Sequence, residues 1–383
     1  MNRLTTNFAE LTLKNPIIAS SAGTTKDALH CKRAEEAGCG AVILKSIQEE
    51  LVNRYVSIPR MTVIHSGIPG YSSTSFMSYE QAFEGGIEEY CQEIRKAKEI
   101  CTIPVIASLE CAHAETWPMY AEKCQAAGAD AIEVAPSCPV GVFIRDGEDF
   151  LTVADQALKV VKQAVRIPVG IKMSQQMTNP CAAAIELDSR GADWITMFNR
   201  NPGLQIDIET MEPIMNKGFC GHGGPWVSQS VMRWIAMTYP HIHAPIAATG
   251  GVTNYEDVVR YLLSGARTVE IATLFYLKGF GVTQKILEEL EDYLDRHKIG
   301  QIKDIIGYAA GKVLPLDQVD HSRRYVAHWD SDACIGCGKC LPVCIYGAIS
   351  DGGNRRPVIN TDICDGCGLC ASVCNRAITM QVK

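Results

Sequence analysis

Long hydrophobic runs are missing from this chain, and so are the glycine signatures of nucleotide-binding folds. Its apolar segments stop at about strand length, broken by glycine, proline or charge, so none approaches the ~20 residues a bilayer-spanning helix needs. The opening stretch "MNRLTTNFAELTLKNP" has no apolar core ahead of a small-residue cleavage site, and a cytoplasmic protein is the expectation. Neither G-x-G-x-x-G nor G-x(4)-G-K-[ST] occurs, which leaves a Rossmann dinucleotide site and a P-loop without support. Basic charge is scarce as well. The 36 Lys and Arg against 43 Asp and Glu give a net charge of -7 with no Lys/Arg stripe, which excludes a nucleic-acid backbone as partner.

Cysteine, by contrast, is abundant. With 17 in a chain expected to be cytoplasmic, metal ligation or redox chemistry is favoured over a disulfide framework. The 383 residues, 47% hydrophobic, suffice for one large core plus a small second domain. The division expected is a barrel over 1–300, a linker and helix over 301–328, and a cluster domain over 329–383.

The tail carries "CIGCGKCLPVC" and "CDGCGLCASVC", the same C-x2-C-x2-C-x3-C pattern twice: Cys334, Cys337, Cys340, Cys344, then Cys364, Cys367, Cys370, Cys374. Three thiolates at that spacing wrap one face of an iron-sulfur cube, and small residues such as Gly336 and Gly366 let the backbone curl around it. Zinc fits less well, because its tetrahedral sites use two separated cysteine pairs and would leave the middle cysteines unused. This tail resembles bacterial two-cluster ferredoxins. The resemblance implies two [4Fe-4S] clusters, one on Cys334, Cys337, Cys340 and Cys374 and the other on Cys364, Cys367, Cys370 and Cys344. Ile345 and Asn375 stand where a proline usually follows the last cysteine of each run.

Upstream, eight strand-like segments recur: "NPIIASSAG", "AVILKSI", "PVIASL", "AIEVAPS", "PVGIKM", "WITMFN", "PIAATGG" and "TVEIATLF". Between most of them lie amphipathic stretches of helix length, several ending on glycine, as in "YEDVVRYLLSG". This alternation predicts an α/β fold, a (β/α)8 TIM barrel, with a small C-terminal α+β ferredoxin-like domain. Chemistry in a barrel gathers at the C-terminal ends of its strands. Those ends carry Ala22-Gly23, Lys45-Ser46, Ser137-Cys138, Lys172, Asn199, Gly250-Gly251 and Ala272-Thr273, with Gly223 and Gly224 as further cofactor candidates. Bare amides after strands seven and eight, at Gly250, Gly251 and Thr273, suit a phosphate. Lys45 and Lys172 place cations where a flavin anion would need them.

With these residues assembled, the first 300 or so resemble the dihydroorotate dehydrogenase family and the flavin domain of dihydropyrimidine dehydrogenase, which also joins a flavin barrel to a two-cluster tail. The elements that carry the likeness are "NPIIASSAG", "LKS", "SCP", "IK", the Asn ending strand six, and "ATGGV". The resemblance implies FMN, held by Gly23, Lys45, Lys172, Gly250, Gly251 and Thr273, and implies that Cys138 in "AIEVAPSCPVG" is the acid or base on the substrate face. Ser137, Asn199 and Arg200 are the expected substrate contacts. Ala135 stands where the pyrimidine enzymes carry a ring-binding Asn, and Arg200 where they carry a hydroxyl, which counts against uracil or orotate.

The activity expected is an FMN- and iron-sulfur-dependent oxidoreductase acting on a C=C bond conjugated to a carbonyl in a small, cyclic substrate. The alternatives are a dihydropyrimidine or dihydroorotate dehydrogenase proper, or an electron-relay subunit that needs no acid on the flavin face. Expected partners are the small-molecule substrate, a redox partner (a NAD(P)H-oxidising flavoprotein subunit or a ferredoxin) and a second copy in a homodimer; nucleic acid and membrane are excluded. His65, His113 and His222 are read as satisfied loop residues. Trp226, Met232, Trp234 and Met237 are read as core, and Cys31, Cys39, Cys91, Cys101, Cys124, Cys181 and Cys220 as buried thiols, with Cys111 near the mouth.

Overall fold

The computed structural model describes residues 3–49, 60–67, 73–79, 82–136, 150–214, 219–374 and 376–383. Two compact units divide the chain, Met1–Val313 and Leu314–Lys383.

In the first unit, eight parallel strands close into a ring: β1 (Ile17–Ala19), β2 (Ala41–Ile43), β3 (Val105–Glu110), β4 (Ala131–Val134), β5 (Val169–Met173), β6 (Trp194–Met197), β7 (Ile246–Thr249) and β8 (Ala266–Ile271). Sequential neighbours pair throughout, and β8 returns to β1 with Val269 opposite Ile17. Nearly every strand residue is buried, because helices cover the outer face of a parallel sheet and side chains fill its inside. The expected TIM barrel is therefore the fold of this unit.

The helices that follow the strands are α1 (Ala28–Glu36), α2 (Ile87–Ile100), α3 (Thr116–Ala126), α4 (Phe150–Ala164), α5 (Pro180–Ser189), α6 (Ser228–Thr238), α7 (Tyr255–Ser264) and α8 (Val282–Arg296). α7 shows why the sequence makes them. The Asn254 side chain accepts from the amides of Glu256 and Asp257, Val258, Val259 and Leu262 form the buried stripe, and Gly265 ends the helix at φ +117°, a conformation that costs glycine little.

At the N-terminal end of the barrel, an antiparallel ribbon of Thr6–Phe8 and Leu11–Leu13 carries Phe8 and Leu13 into a buried cluster with Ile18, Ile43, Ile106 and Trp194. Phe8 meets the Trp194 ring at 5.4 Å between centroids. Gly170 leaves room for that indole, since a Cβ there would sit 2.1 Å from it. This plug closes one end of the barrel, so side chains that reach solvent-sized space do so at the other.

Four further strands make a separate antiparallel sheet in the order Asn201–Gly203, Cys220–Gly223, Ser73–Ser78, Met61–Ser66. They come from the loops after β2 and β6, and therefore belong to the C-terminal end of the barrel. After α8 the chain stays with the barrel: Ile302 donates its amide to Arg3, and Gly307 and Ala309 donate theirs to Leu262 and Leu263.

Within the second unit, Tyr325–Trp329 pairs antiparallel with Ile378–Val382, Ile349–Asp351 pairs with Pro357–Ile359, and an α-helix spans Leu369–Cys374. No helix among the described residues is long and apolar enough to cross a membrane.

Three expectations about burial need correction. Trp226 is 37% exposed and Met237 42% exposed, so neither is core. Trp226 lies in a 3-10 turn ahead of α6 and donates to Ser75 Oγ at 3.1 Å; Met237 lies off the line of Val231, Ile235 and Thr238 that α6 buries. Met232 and Trp234 do pack against the core as partly buried side chains. Cys181 is only partly buried, at the start of α5, with its sulfur toward the Met237 carbonyl.

Candidate functional site

Among the described residues, two cavities open at the C-terminal end of the barrel. The first, about 330 Å³, is walled by the glycine loops Gly223-Gly224 and Gly250-Gly251 and by Ala272-Thr273. Gly250 and Gly251 hold φ of +104° and +71°, and a Cβ on Gly251 would lie 3.0 Å from the Gly224 carbonyl oxygen. The two glycine loops thus lean on each other as bare backbone, which a side chain would prevent. Tyr261 reaches over from α7 and donates to the Gly250 carbonyl at 2.5 Å, fixing which way that peptide faces.

The second cavity, about 430 Å³, is walled by Gly23, Lys45, Arg60 and Tyr276 among others. Lys45 is 6% exposed, and no hydrogen bond or ion pair is made to its ammonium among the described residues. A largely buried charge without a partner is costly, so this side chain fits an anionic or strongly polar ligand. Ala22 caps the short turn Gly23–Thr25, and the Gly23 amide donates to Tyr276 Oη at 2.5 Å. Tyr276 in turn stacks on Phe76 at 5.4 Å, one ring on the wall of each cavity. Ser46 does not share this setting: its hydroxyl lies 2.8 Å from Ser21 Oγ and 2.9 Å from Ser108 Oγ, in a buried ladder.

Lys172 sits deeper. Its ammonium donates to Glu270 Oε2 at 2.9 Å, to Glu133 Oε1 at 3.3 Å and to Ser20 Oγ at 3.3 Å. Burial alone would depress it, but its interactions with Glu133 and Glu270 outweigh burial and hold it above the ordinary lysine range. Glu133 and Glu270 were not singled out from sequence. The available signal was a lone acid inside each of two apolar strands, "AIEVA" and "TVEIA", where an unpaired charge would not be tolerated.

On the substrate side, Asn199 follows β6, gives its amide to the Met173 carbonyl and accepts from the Arg200 amide through Oδ1 at 2.9 Å. Arg200 lines the first cavity, donates to Ser78 Oγ, and lies over Gly221, where a Cβ would come within 2.7 Å of the guanidinium carbon. Ser137 and Cys138, with Pro139 and Gly141, lie outside the described residues; the strand leading to them ends at Val134 and is followed by buried Ala135. Cys111 is buried, and burial pushes its thiol well above the ordinary range, which makes it a poor proton donor. Each of the three histidines has a neighbour to satisfy it: His65 meets Thr74, His113 meets Glu49, and His222 meets the Asn201 carbonyl.

In the second unit the cysteines line two separate cavities. Cys334, Cys337, Cys340 and Cys374 wall one of about 150 Å³, and Cys364, Cys367, Cys370 and Cys344 wall the other. The last cysteine of each run therefore reaches the other run's trio. Among the described residues, no three Cys, His, Asp or Glu side chains converge as they would on a single ion; thiols spread around a cavity fit a cube better than a point. The two surroundings differ. Lys339, Arg355 and Arg376 line the first cavity, as does Trp329, whose buried indole N–H has no oxygen or nitrogen partner. The Gly336 amide, then the Trp329 side chain, hold the Cys334 thiol below its ordinary value. The second cavity has Asp365 and apolar residues such as Val343, Ile349 and Met380 in place of those cations.

Comparison with known proteins then shows what this arrangement is similar to. Residues 3–294 match the dihydroorotate dehydrogenase family and residues 327–380 match a 4Fe-4S dicluster domain. The dihydroorotate dehydrogenase B (NAD(+)) catalytic subunit of Pyrococcus furiosus is 30% identical over 306 residues, 78% of this chain and 96% of that protein. The equivalent subunit of Methanocella arvoryzae is 31% identical over 80% of this chain and 98% of its own length. The NAD-dependent dihydropyrimidine dehydrogenase subunit PreA of Escherichia coli K12 is 29% identical over 356 residues, 90% of this chain and 86% of that protein.

Proposed function

The chain belongs to the dihydroorotate dehydrogenase family and carries a 4Fe-4S dicluster domain behind its barrel, and from that premise we propose an FMN- and iron-sulfur-dependent oxidoreductase that reduces, or reversibly oxidises, a C=C bond conjugated to a carbonyl in a small cyclic substrate. The observation that carries this reading is the occurrence, in one chain, of a glycine-walled cavity at the barrel end and two cavities each walled by four cysteines. Bound FMN would exchange two electrons with the substrate and single electrons with two [4Fe-4S] clusters.

The protein's own residues have separate tasks. Gly250, Gly251, Ala272 and Thr273, with Gly223 and Gly224, would offer backbone to the cofactor phosphate, and Lys45 and Gly23, which follow β2 and β1, would hold the rest of it. Lys172 would supply a fixed positive charge. Cys138 gives a proton to the carbon next to the carbonyl, or removes it in the reverse direction. Asn199 and Arg200, with Ser137, bind the carbonyl oxygen as negative charge grows on it. The antiparallel sheet from the loops after β2 and β6 contributes Phe76 to the first cavity, and Arg200, just ahead of its strand Asn201–Gly203, lines the same space.

Heating the purified protein should release FMN, not FAD, since the loops after β7 and β8 suit one phosphate and the sequence carries no adenylate fingerprint. Anaerobic reoxidation of the reduced flavin by a panel of enones, cyclic imides and pyrimidines then tests the substrate class. Reoxidation by pyrimidines alone would favour the rival reading, a dihydropyrimidine or dihydroorotate dehydrogenase. The relatives' names favour that rival, while Ala135, which has no amide to hold a ring, opposes it.

Those relatives are subunits by name, which supports a redox partner here too. NADH or NADPH added to the isolated chain should leave the flavin oxidised, and bleaching by either would remove the need for a partner. Arg200→Ala should raise KM about 10- to 100-fold, the equivalent of a lost charge-assisted hydrogen bond of ~1.5–3 kcal/mol, with a smaller change in kcat. Unchanged kinetics would assign Arg200 a structural role in place of a substrate contact.

The two cluster sites should differ in potential. Cations and N–H donors near cluster sulfurs stabilise the reduced form, so the first electron should rest on the site of Cys334, Cys337, Cys340 and Cys374 by about tenfold, ~59 mV for one electron. Anaerobic potentiometric titration followed by electron paramagnetic resonance reads this directly. Trp329→Phe should narrow the gap, and equal or reversed potentials would contradict it.

A further inference from the structure

The barrel interior holds two carboxyl groups, one ammonium and one hydroxyl in mutual contact, and their hydrogen bonds require a proton that a count of formal charges would omit. Thr196 Oγ1 on β6 lies 3.0 Å from Glu133 Oε2 on β4, 3.0 Å from Glu270 Oε1 on β8 and 3.2 Å from Trp194 Nε1. A threonine hydroxyl has one proton and two lone pairs, an indole nitrogen only donates, and an ionised carboxylate only accepts. The Trp194 N–H therefore uses one lone pair, and the single hydroxyl proton can serve one carboxylate. With both acids ionised, the other 3.0 Å contact would bring two acceptors together at a site where Glu133, Glu270 and Thr196 are at most 1% exposed. An unsatisfied contact there is expensive. One added proton resolves it: a neutral Glu133 donates to Thr196, and Thr196 donates to Glu270.

The ammonium indicates which acid is ionised. Lys172 Nζ lies closer to Glu270, at 2.9 Å, than to Glu133, at 3.3 Å, and the Ser20 hydroxyl adds a bond to Glu270 Oε2 at 2.8 Å. The charge count agrees. One ammonium against one carboxylate is neutral, whereas two ionised acids would leave a net negative charge in the barrel. The groups facing Glu133 are Lys172 from β5, Thr196 from β6 and Glu270 from β8. The nearby serines are engaged elsewhere, Ser20 with Glu270 and Lys172, and Ser108 with Ser46. Burial, then the Glu270 carboxylate, push the Glu133 carboxyl up to about 8.

We propose that Glu133 is kept as a neutral acid and that Thr196 links it to ionised Glu270, forming a one-proton store that positions Lys172 below the mouth of the barrel. Passing a proton from Glu133 to Thr196 while the Thr196 proton moves to Glu270 exchanges the ionised partner and leaves the net charge unchanged. Glu270 also lines the first cavity, so the store adjoins the space where the substrate and cofactor would meet. Glu133 and Thr196 are positioning residues, since they act on that space through Lys172 and Glu270.

Infrared spectroscopy of the purified holoprotein without substrate tests this, and its result does not depend on which substrate the enzyme uses. At about pH 6 the C=O stretch of a protonated carboxylic acid should be present, shift in D2O, and fade as the pH rises through the Glu133 value. Glu133→Gln retains an N–H donor toward Thr196 and should abolish the band. Thr196→Val should leave the band but move it to higher frequency, because the acid loses its acceptor. The proposal falls if the parent protein shows no such band, if the band survives Glu133→Gln, or if Thr196→Val leaves its frequency unchanged. Should Glu133→Gln fail to fold, the parent titration and the Thr196→Val shift decide the question between them.

Discussion

Cys138→Ala is expected to keep its FMN, both clusters and full reduction by dithionite, yet to be reoxidised by substrate ~10² to 10⁴ times more slowly, the usual worth of a positioned acid. The two half-reactions can be measured separately, and only one needs a proton at carbon. Cys138→Ser should be intermediate or equally slow, because a hydroxyl is a poorer donor near neutral pH than a thiol of pKa ~8.5. Buried Cys111 cannot readily take over the role, since burial holds its thiol too high. Stopped-flow absorbance of the flavin, started by mixing reduced protein with substrate, reads the rate. A parental rate in Cys138→Ala would end the proton-donor reading of "APSCPVG" and bring back the electron-relay alternative.

Lys172→Met should destabilise the barrel by about 3–5 kcal/mol at alkaline pH, because removing one partner of a buried ion pair leaves the other charge uncompensated. The effect has a defined pH dependence. Without the ammonium nothing offsets charge on the buried acids, so the Glu133 carboxyl, already above the unfolded value of ~4.3, is pushed higher still. A group shifted that way contributes stability that is present below the unfolded pKa and is lost as pH rises through the folded one. Glu133 already behaves so in the parent, with its carboxyl near 8. The difference between variant and parent should therefore be small near pH 4 and grow toward pH 8 and beyond. Chemical denaturation at several pH values measures it, and a difference that stays constant across the range would show that Lys172 contributes packing rather than charge.

How much of this was legible in advance depended on whether the cause was local. All eight barrel strands could be read from the sequence because a parallel strand covered on both faces must be apolar almost throughout, and the glycines that close helices such as α7 lie beside the residues they serve. The sheet that lines the first cavity was not legible. "VIHSGIPGYSSTSF" is polar and glycine-rich, and Ser73–Ser78 pairs on one side with Met61–Ser66 but on the other with Cys220–Gly223, some 140 residues away, which no local pattern announces. Trp226 and Met237 looked apolar enough for the core, but their places outside the buried stripe of α6 depend on where that helix begins and which way it faces.

The sequence by itself determined the barrel, the cluster-binding tail and the glycine and lysine candidates at the strand ends, because periodicity, capping and cysteine spacing act over a few residues. Only the tertiary structure decided which charges meet. Glu270 reaches Lys172 across 98 positions and Thr196 across 74, and Cys374 lines one cavity with Cys334, Cys337 and Cys340, a grouping the ferredoxin likeness implied but cysteine spacing alone does not impose. Those contacts exist because barrel closure and the antiparallel pairing of Tyr325–Trp329 with Ile378–Val382 bring distant segments together. Buried in low dielectric, such pairs set the charge of Glu133 and Lys172, which no local pattern encodes.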